Sequence, residues 1–131
     1  MNAIHKSGKR KRAVARATLK KGNGTVKVNY INIQHYSPEM YRLKIQEPII
    51  LAGDAAKDLD IFVNVRGGGF ASQAEASRLA IARTLVEHKP ELKDVFQEYD
   101  RQLLVADVRR KECSKPNCRG HARSKKQLSK R

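Results

Sequence analysis

Tryptophan is absent from this chain, aromatic residues make up only 5% of it, and it has just two cysteines. With so few rings, a core has to be built from Val, Ile, Leu and Ala, and a hydrophobic content of 40% is enough for one. A length of 131 residues suits a single compact domain. Two cysteines do not make a disulfide framework, so a reducing cytoplasm is the expected environment. No apolar run is long enough to cross a bilayer, and the N-terminus lacks the apolar stretch of a signal peptide, so no membrane partner is expected.

Acidic residues are missing from one end and nearly so from the other. Residues 1–27 hold nine Lys/Arg and no acid, whereas residues 109–131 hold ten Lys/Arg against Glu112 alone. The centre, 28–108, has nine basic and twelve acidic residues. The net charge of +15 is therefore carried by the two ends around an ordinary, slightly acidic middle. That division suits a polyanion touched at chosen surfaces, because each neutralised phosphate releases condensed counterions.

The first nine residues look like a flexible start. From Arg12 the chain alternates, with Ala13, Ala15, Ala17 and Leu19 on one side and Arg12, Arg16 and Lys20 on the other, the period of a half-buried strand with a basic outer ribbon. Gly22-Asn23-Gly24 accepts positive φ and predicts a hairpin into a second strand over 25–29. Ser37-Pro38-Glu39 supplies a capping hydroxyl, a proline and an acid for a helix start, and Pro48 is expected to break that helix. Asp54–Asp60 is a polar loop, and Ile61, Val63 and Val65 mark a third strand. A long helix follows over about 71–88, ended by Lys89-Pro90, and then a shorter one over 91–99 with Leu92, Val95 and Phe96 inward. Leu103-Leu104-Val105 could return to the sheet as a fourth strand. The expected architecture is α+β, a small four-stranded sheet with helices on one face, forming a globular RNA-binding domain over 1–108. Residues 109–131 lose apolar periodicity and form an extended basic tail that could reach about 70 Å at full extension.

Candidate chemistry is sparse. Gly67-Gly68-Gly69 between a strand and the long helix could bring backbone amides to an anion, or could simply form a tight turn. The loop is not followed by Lys-Ser/Thr and is no nucleotide-binding Walker loop, and it meets the dinucleotide fingerprint only as a near miss. His5, His35, His88 and His121 are scattered, and no nucleophile–base pair can be named, so an enzyme is not expected. Asp58 and Asp60 are read as a solvated turn. Cys113, Cys118 and His121 fall one ligand short of a structural zinc site, so both thiols are read as free and neither a metal nor a cofactor is expected.

Val65-Arg66-Gly67-Gly68-Gly69-Phe70-Ala71-Ser72-Gln73 and the helix running on to Arg83 resemble the signature of a universal family, that of the ninth protein of the small ribosomal subunit. The resemblance extends from Ser7 to Arg131. Glu98–Asp107 is similar to the archaeal and eukaryotic cytosolic branch, and the ending Ser129-Lys130-Arg131 to the family's terminus. Ser72 stands where a glycine is usual, Leu128 where an aromatic or Lys is common, and Lys115–Gly120 replaces a glycine-rich stretch. The resemblance implies a fold like the second domain of ribosomal protein five. It also implies binding to ribosomal RNA of the small-subunit head, beside neighbouring head proteins, with the tail reaching the transfer RNA at the peptidyl site. Carried over by position, Ser129, Lys130 and Arg131 are the transfer-RNA candidates. The ribosomal-RNA candidates are Arg10, Lys11, Arg12, Arg16 and Arg66, the loop Gly67, Gly68, Gly69 with Gln73, and the tail residues Arg109, Arg110, Lys111, Arg123, Lys125 and Lys126.

Two other classes compete. A ribonuclease or kinase relative on a similar sheet would need clustered acids or histidines on one face. A nonspecific nucleic-acid-compacting protein would spread its charge over the fold or dimerise through an apolar helix, whereas here the charge lies on a ribbon and a tail.

Overall fold

The computed structural model describes residues 3–123. Strand β1 (Ile4–Arg10) turns through Lys11-Arg12 into β2 (Ala13–Lys21), and β3 (Val26–Val28) turns through Asn29-Tyr30 into the two-residue β4 (Ile31–Asn32). Helix α1 (Glu39–Ala52) leads to β5 (Leu59–Arg66), followed by α2 (Phe70–His88) and α3 (Leu92–Tyr99). The sheet order is β1-β2-β5-β3-β4, antiparallel except where β3 runs parallel to β5. The fold is α+β, with the helices covering one face. That face is set by period-two alternation: Ala13, Ala15, Ala17 and Leu19 of β2 and Leu59, Ile61, Val63 and Val65 of β5 are all buried.

The sheet has five strands rather than four. The segment before Arg10 is an edge strand, not a flexible start, and its register with β2 runs from Ile4↔Leu19 to Arg10↔Ala13. Gly22-Asn23-Gly24 does not close a hairpin, because β5 inserts between β2 and β3. Asp60 organises that turn: its Oδ1 accepts the backbone amides of Asn23 at 3.0 Å and Thr25 at 2.9 Å. These bonds, that of Thr25 first, hold its carboxyl below the usual range, so Asp60 is a clamp and not a solvated turn residue.

Helix α1 is not broken at Pro48. The proline deprives the Lys44 carbonyl of its helical donor, but its ring is buried on the same face as Ile45 and Ala52, the face packed along α2. Ser37 makes no capping bond; Pro38 occupies the N-cap position. In α3, Leu92 and Phe96 are buried as expected, but Val95 is 45% exposed. Leu103 is buried in a 3-10 turn (Arg101–Leu103) against α2 and α3 rather than in a strand. Residues 109–123 contain no helix or strand, and they double back where the Lys115 amide donates to the His121 carbonyl at 3.2 Å.

Packing of α2 on β1 and β2 is unusually close, and small residues make it so. A Cβ on Gly8 would collide with the Ala76 carbonyl and come within 2.8 Å of the Ala80 amide nitrogen. Ala13, Ala15 and Ala17 face the same helix, whose Ala74, Ala76, Ala80 and Ala82 are buried. The end of β1 is fastened electrostatically. The Arg10 guanidinium pairs with Glu75 of α2 and with Asp107 at 2.6 Å, and Lys44 of α1 reaches Glu75 at 3.1 Å. Burial works against ionisation of Glu75, yet the Arg10 and Lys44 hydrogen bonds outweigh it and leave its carboxyl below the ordinary value.

Substituting Gly8→Ala should separate β1 from α2 at a cost of about 1–3 kcal/mol. Thermal unfolding followed by circular dichroism should then show a midpoint lower by roughly 4–12 °C; an unchanged midpoint would contradict the packing argument. Carboxylates with lowered folded pKa values stabilise the protein above their unfolded values and lose that contribution as pH falls through the folded ones. Glu75, Asp100 and Asp107 all belong to this group. The midpoint should therefore be nearly flat above about pH 5 and fall steeply below about pH 4. Glu75→Gln should begin lower at neutral pH and lose less on acidification; parallel pH profiles would show that the tie contributes nothing.

Candidate nucleic-acid interface

The β1–β2 turn, the glycine loop, the first turn of α2 and the root of the tail meet at one end of the molecule. Between them lies an open recess of about 850 Å³ lined by Lys11, Arg12, Gly68, Gly69, Ser72, Arg109, Arg110 and Lys111 among others. Lys11 is held at φ 50, a left-handed conformation uncommon for lysine, in the two-residue turn between Arg10 and Ala13.

The three glycines divide into two kinds. Gly67 and Gly68 have φ of 76 and 71. A Cβ on Gly67 would approach the Arg12 carbonyl oxygen to 2.7 Å, and one on Gly68 would meet Ala13 at 3.1 Å. These two form a tight turn nested against the β1–β2 turn, and Gln73 braces it by donating Nε2–H to the Gly67 carbonyl at 3.2 Å. Gly69 has no such steric reason. Its φ is −105, and nothing lies within 4 Å of where its Cβ would be. It is the N-cap of α2 and makes no side-chain capping bond, so the helix opens toward the recess without a screening side chain. The first-turn amides and the dipole's positive end are thereby presented to whatever enters.

The tail leaves the fold at this same place. Arg109 forks onto Asp107, with Nε 2.9 Å and Nη2 2.7 Å from Oδ2, and its amide also donates to Asp107 at 2.8 Å. The Arg109 side-chain bond, then its backbone bond, drives the Asp107 carboxyl far below the usual carboxylate range. Asp107 joins Arg10 on one side to Arg109 on the other, fixing where the tail begins. Neither Glu75 nor Asp107 stands out in the sequence; only the two-residue spacing from Asp107 to Arg109 hints at a local fork.

The residues singled out from sequence do not all converge. Arg10 lies beside the recess, but its guanidinium is spent on Glu75 and Asp107, its side chain only 16% exposed. Arg16 and Arg66 are exposed on the open face of the sheet. Arg123 pairs with Glu112 at 3.0 Å. Lys125, Lys126, Ser129, Lys130 and Arg131 lie outside the described residues. Cys113 is exposed and Cys118 half-buried, both as free thiols, and no group of His, Cys, Asp and Glu with metal-holding geometry occurs among the described residues.

The profile of the family described as ribosomal protein S9/S16 matches residues 8–131. The chain is 53% identical over 125 residues to small ribosomal subunit protein uS9 of Thermoplasma acidophilum, covering 94% of this chain and 96% of that one. Against small ribosomal subunit protein uS9 of Thermoplasma volcanium the identity is 50% over 131 residues, covering 98% of each. With its counterpart from Halobacterium salinarum the identity is 54% over 112 residues, covering 83% and 85%. A basic α+β domain with a lysine- and arginine-rich extension, matched over this length, belongs to the ribosomal protein S9/S16 family, whose members are structural components of the ribosome and not enzymes.

Proposed function

We propose that this protein anchors in the head of the small ribosomal subunit by binding ribosomal RNA through the basic recess, and that its tail extends from there to the transfer RNA at the peptidyl site. The convergence of Lys11, Arg12, Arg110 and Lys111 around the open N-terminus of α2 carries the reading. A phosphate there meets fixed cations and unpaired helix amides at once, with Gly69 leaving room for the approach. On this reading residues 1–108 form the anchor and 109–131 the reaching arm. Arg66 and the tail's Arg123, Lys125 and Lys126 add contacts along the RNA path, while Arg10 acts from inside by holding the tail root. Ser129, Lys130 and Arg131 meet the transfer RNA. A terminal Arg suits a backbone phosphate, because its planar fork donates two parallel bonds and stays charged, and backbone recognition accepts any transfer RNA.

Lys11→Gln with Arg12→Gln should leave the fold intact, since both side chains are exposed. Binding to a transcript of the head domain of small-subunit ribosomal RNA should weaken, and the slope of log K against log salt should shrink by about 2. An unchanged slope would remove the recess from the RNA contact. Deleting Ser129-Lys130-Arg131 should leave subunit incorporation untouched and lower transfer-RNA affinity at the peptidyl site. Equal affinities in truncated and complete subunits across a salt series would sink the tail contact.

A further inference from the structure

The open face of the sheet, opposite the helices, presents a second recess of about 870 Å³ that includes Phe62, Tyr30, Arg16 and Lys27 in its lining. We propose that this face is a second RNA-binding surface, on which Phe62 stacks an unpaired nucleotide of ribosomal RNA while Arg16 and Lys27 hold the flanking phosphates. The inference rests on the ribosomal-RNA reading above and adds to it a distinct surface and a distinct mode of contact.

Strand register places the parts. Across β1, β2, β5 and β3 one row reads His5, Thr18, Phe62 and Lys27, and the row beside it reads Ser7, Arg16 and Asn64. Phe62, 38% exposed, is therefore the one apolar side chain in these two rows, two strands away from the His5 imidazole. At the rim, Tyr30 is 92% exposed and sits at φ 71 in the turn between β3 and β4. That conformation is costly for a tyrosine, and a tyrosine there buries almost nothing in return. The turn is nonetheless clamped. Asn29 donates its backbone amide to the Val63 carbonyl at 2.9 Å, accepts from the Val65 amide at 2.9 Å and donates to the Val65 carbonyl at 3.1 Å. Tyr30 is thus held beside the recess by the same strand that carries Phe62.

Charge selects the occupant. Lys9, Arg16, Lys20, Lys27 and Arg66 belong to this face, and the acid among its central strands, Asp60, is taken up by the amides of Asn23 and Thr25. Protein interfaces are depleted of lysine and of charge at their centre, whereas a protein docking here would meet uncompensated cations. Duplex RNA hides its base faces. A single-stranded nucleotide supplies a π-face for the ring and phosphates for the cations, the combination that open sheet surfaces use for unpaired RNA.

The test places the photo-crosslinking residue p-benzoylphenylalanine at position 62 of the full chain, lets it assemble into small subunits in cells, and irradiates the gradient-purified subunits. The expected product is a ribonuclease-sensitive adduct mapping by primer extension to one or two adjacent nucleotides. A protein adduct, or none, from subunits containing the variant at full occupancy would overturn the proposal. Such a result would leave the ribosomal reading intact, since that fails only if the unmodified chain is absent from the subunits. In a second measurement, Phe62→Leu should raise the reactivity of the mapped nucleotide toward a base-modifying probe several-fold, and Phe62→Tyr should restore protection. Equal reactivity in all three would show that the ring does not stack.

Discussion

The close approach of α2 to β1 and β2 is the constraint on which the rest of the molecule depends. Layers of secondary structure are ordinarily held apart by branched side chains from both, about 10 Å in the case of two stacked sheets. Here Gly8 and the alanines of β2 remove one layer, and the backbone of α2 comes down onto the strands. Two consequences follow for the site. The β1–β2 turn lies close to the start of α2, so Lys11 and Arg12 share one recess with Gly69 and Ser72. The glycine loop must then fold within a space so tight that a Cβ at Gly67 would strike the Arg12 carbonyl. The positive φ values at Gly67 and Gly68 belong to a loop nested directly against that turn.

Electrostatics sorts the basic residues into two populations. Acids concentrated in the middle of the chain are drawn onto interior cations: Glu75 and Asp107 onto Arg10, and Glu47 and Asp100 onto Arg78, whose side chain is only 9% exposed. A buried guanidinium without such partners would be severely destabilising, so these pairs are required by the fold. Their effect is to spend negative charge internally. What reaches solvent around the recess is correspondingly positive, and the one carboxylate in its lining, Glu112, is itself paired with Lys115 and Arg123.

How much of this was legible in the sequence depended on whether burial was achieved by apolar side chains. In β2 and β5 it was, so alternation of Ala, Leu, Ile and Val revealed both strands and their inward faces. α2 was equally plain, bounded by Gly69 and Lys89-Pro90. β1 was not, because its helix-facing residues are Ile4, Lys6, Gly8 and Arg10, and only the first looks like a core residue. Lys6 and Arg10 cover the helix by pairing with Glu87 and Glu75, and Gly8 fits by having no side chain. The turn at Gly22-Asn23-Gly24 failed differently, since its residues suit a hairpin as well as a crossover. The choice was made by Asp60, thirty-five residues beyond Thr25, through bonds that no local pattern encodes. At the site, sequence identified the right residue types but could not separate Arg10, committed inward, from Arg12, exposed two positions later.

Fixing the tail root has a physical consequence for any contact made farther along. Asp107 holds Arg109 through four hydrogen bonds and is itself held by Arg10 at the end of β1. The tail therefore starts from a point defined relative to the recess. On the proposed reading, once RNA occupies the recess the tail's search for its partner becomes intramolecular, at an effective concentration set by chain length and not by the amount of protein. Weak individual phosphate contacts would then suffice. On that reading, a closely packed domain supplies the unique position from which a basic extension acts.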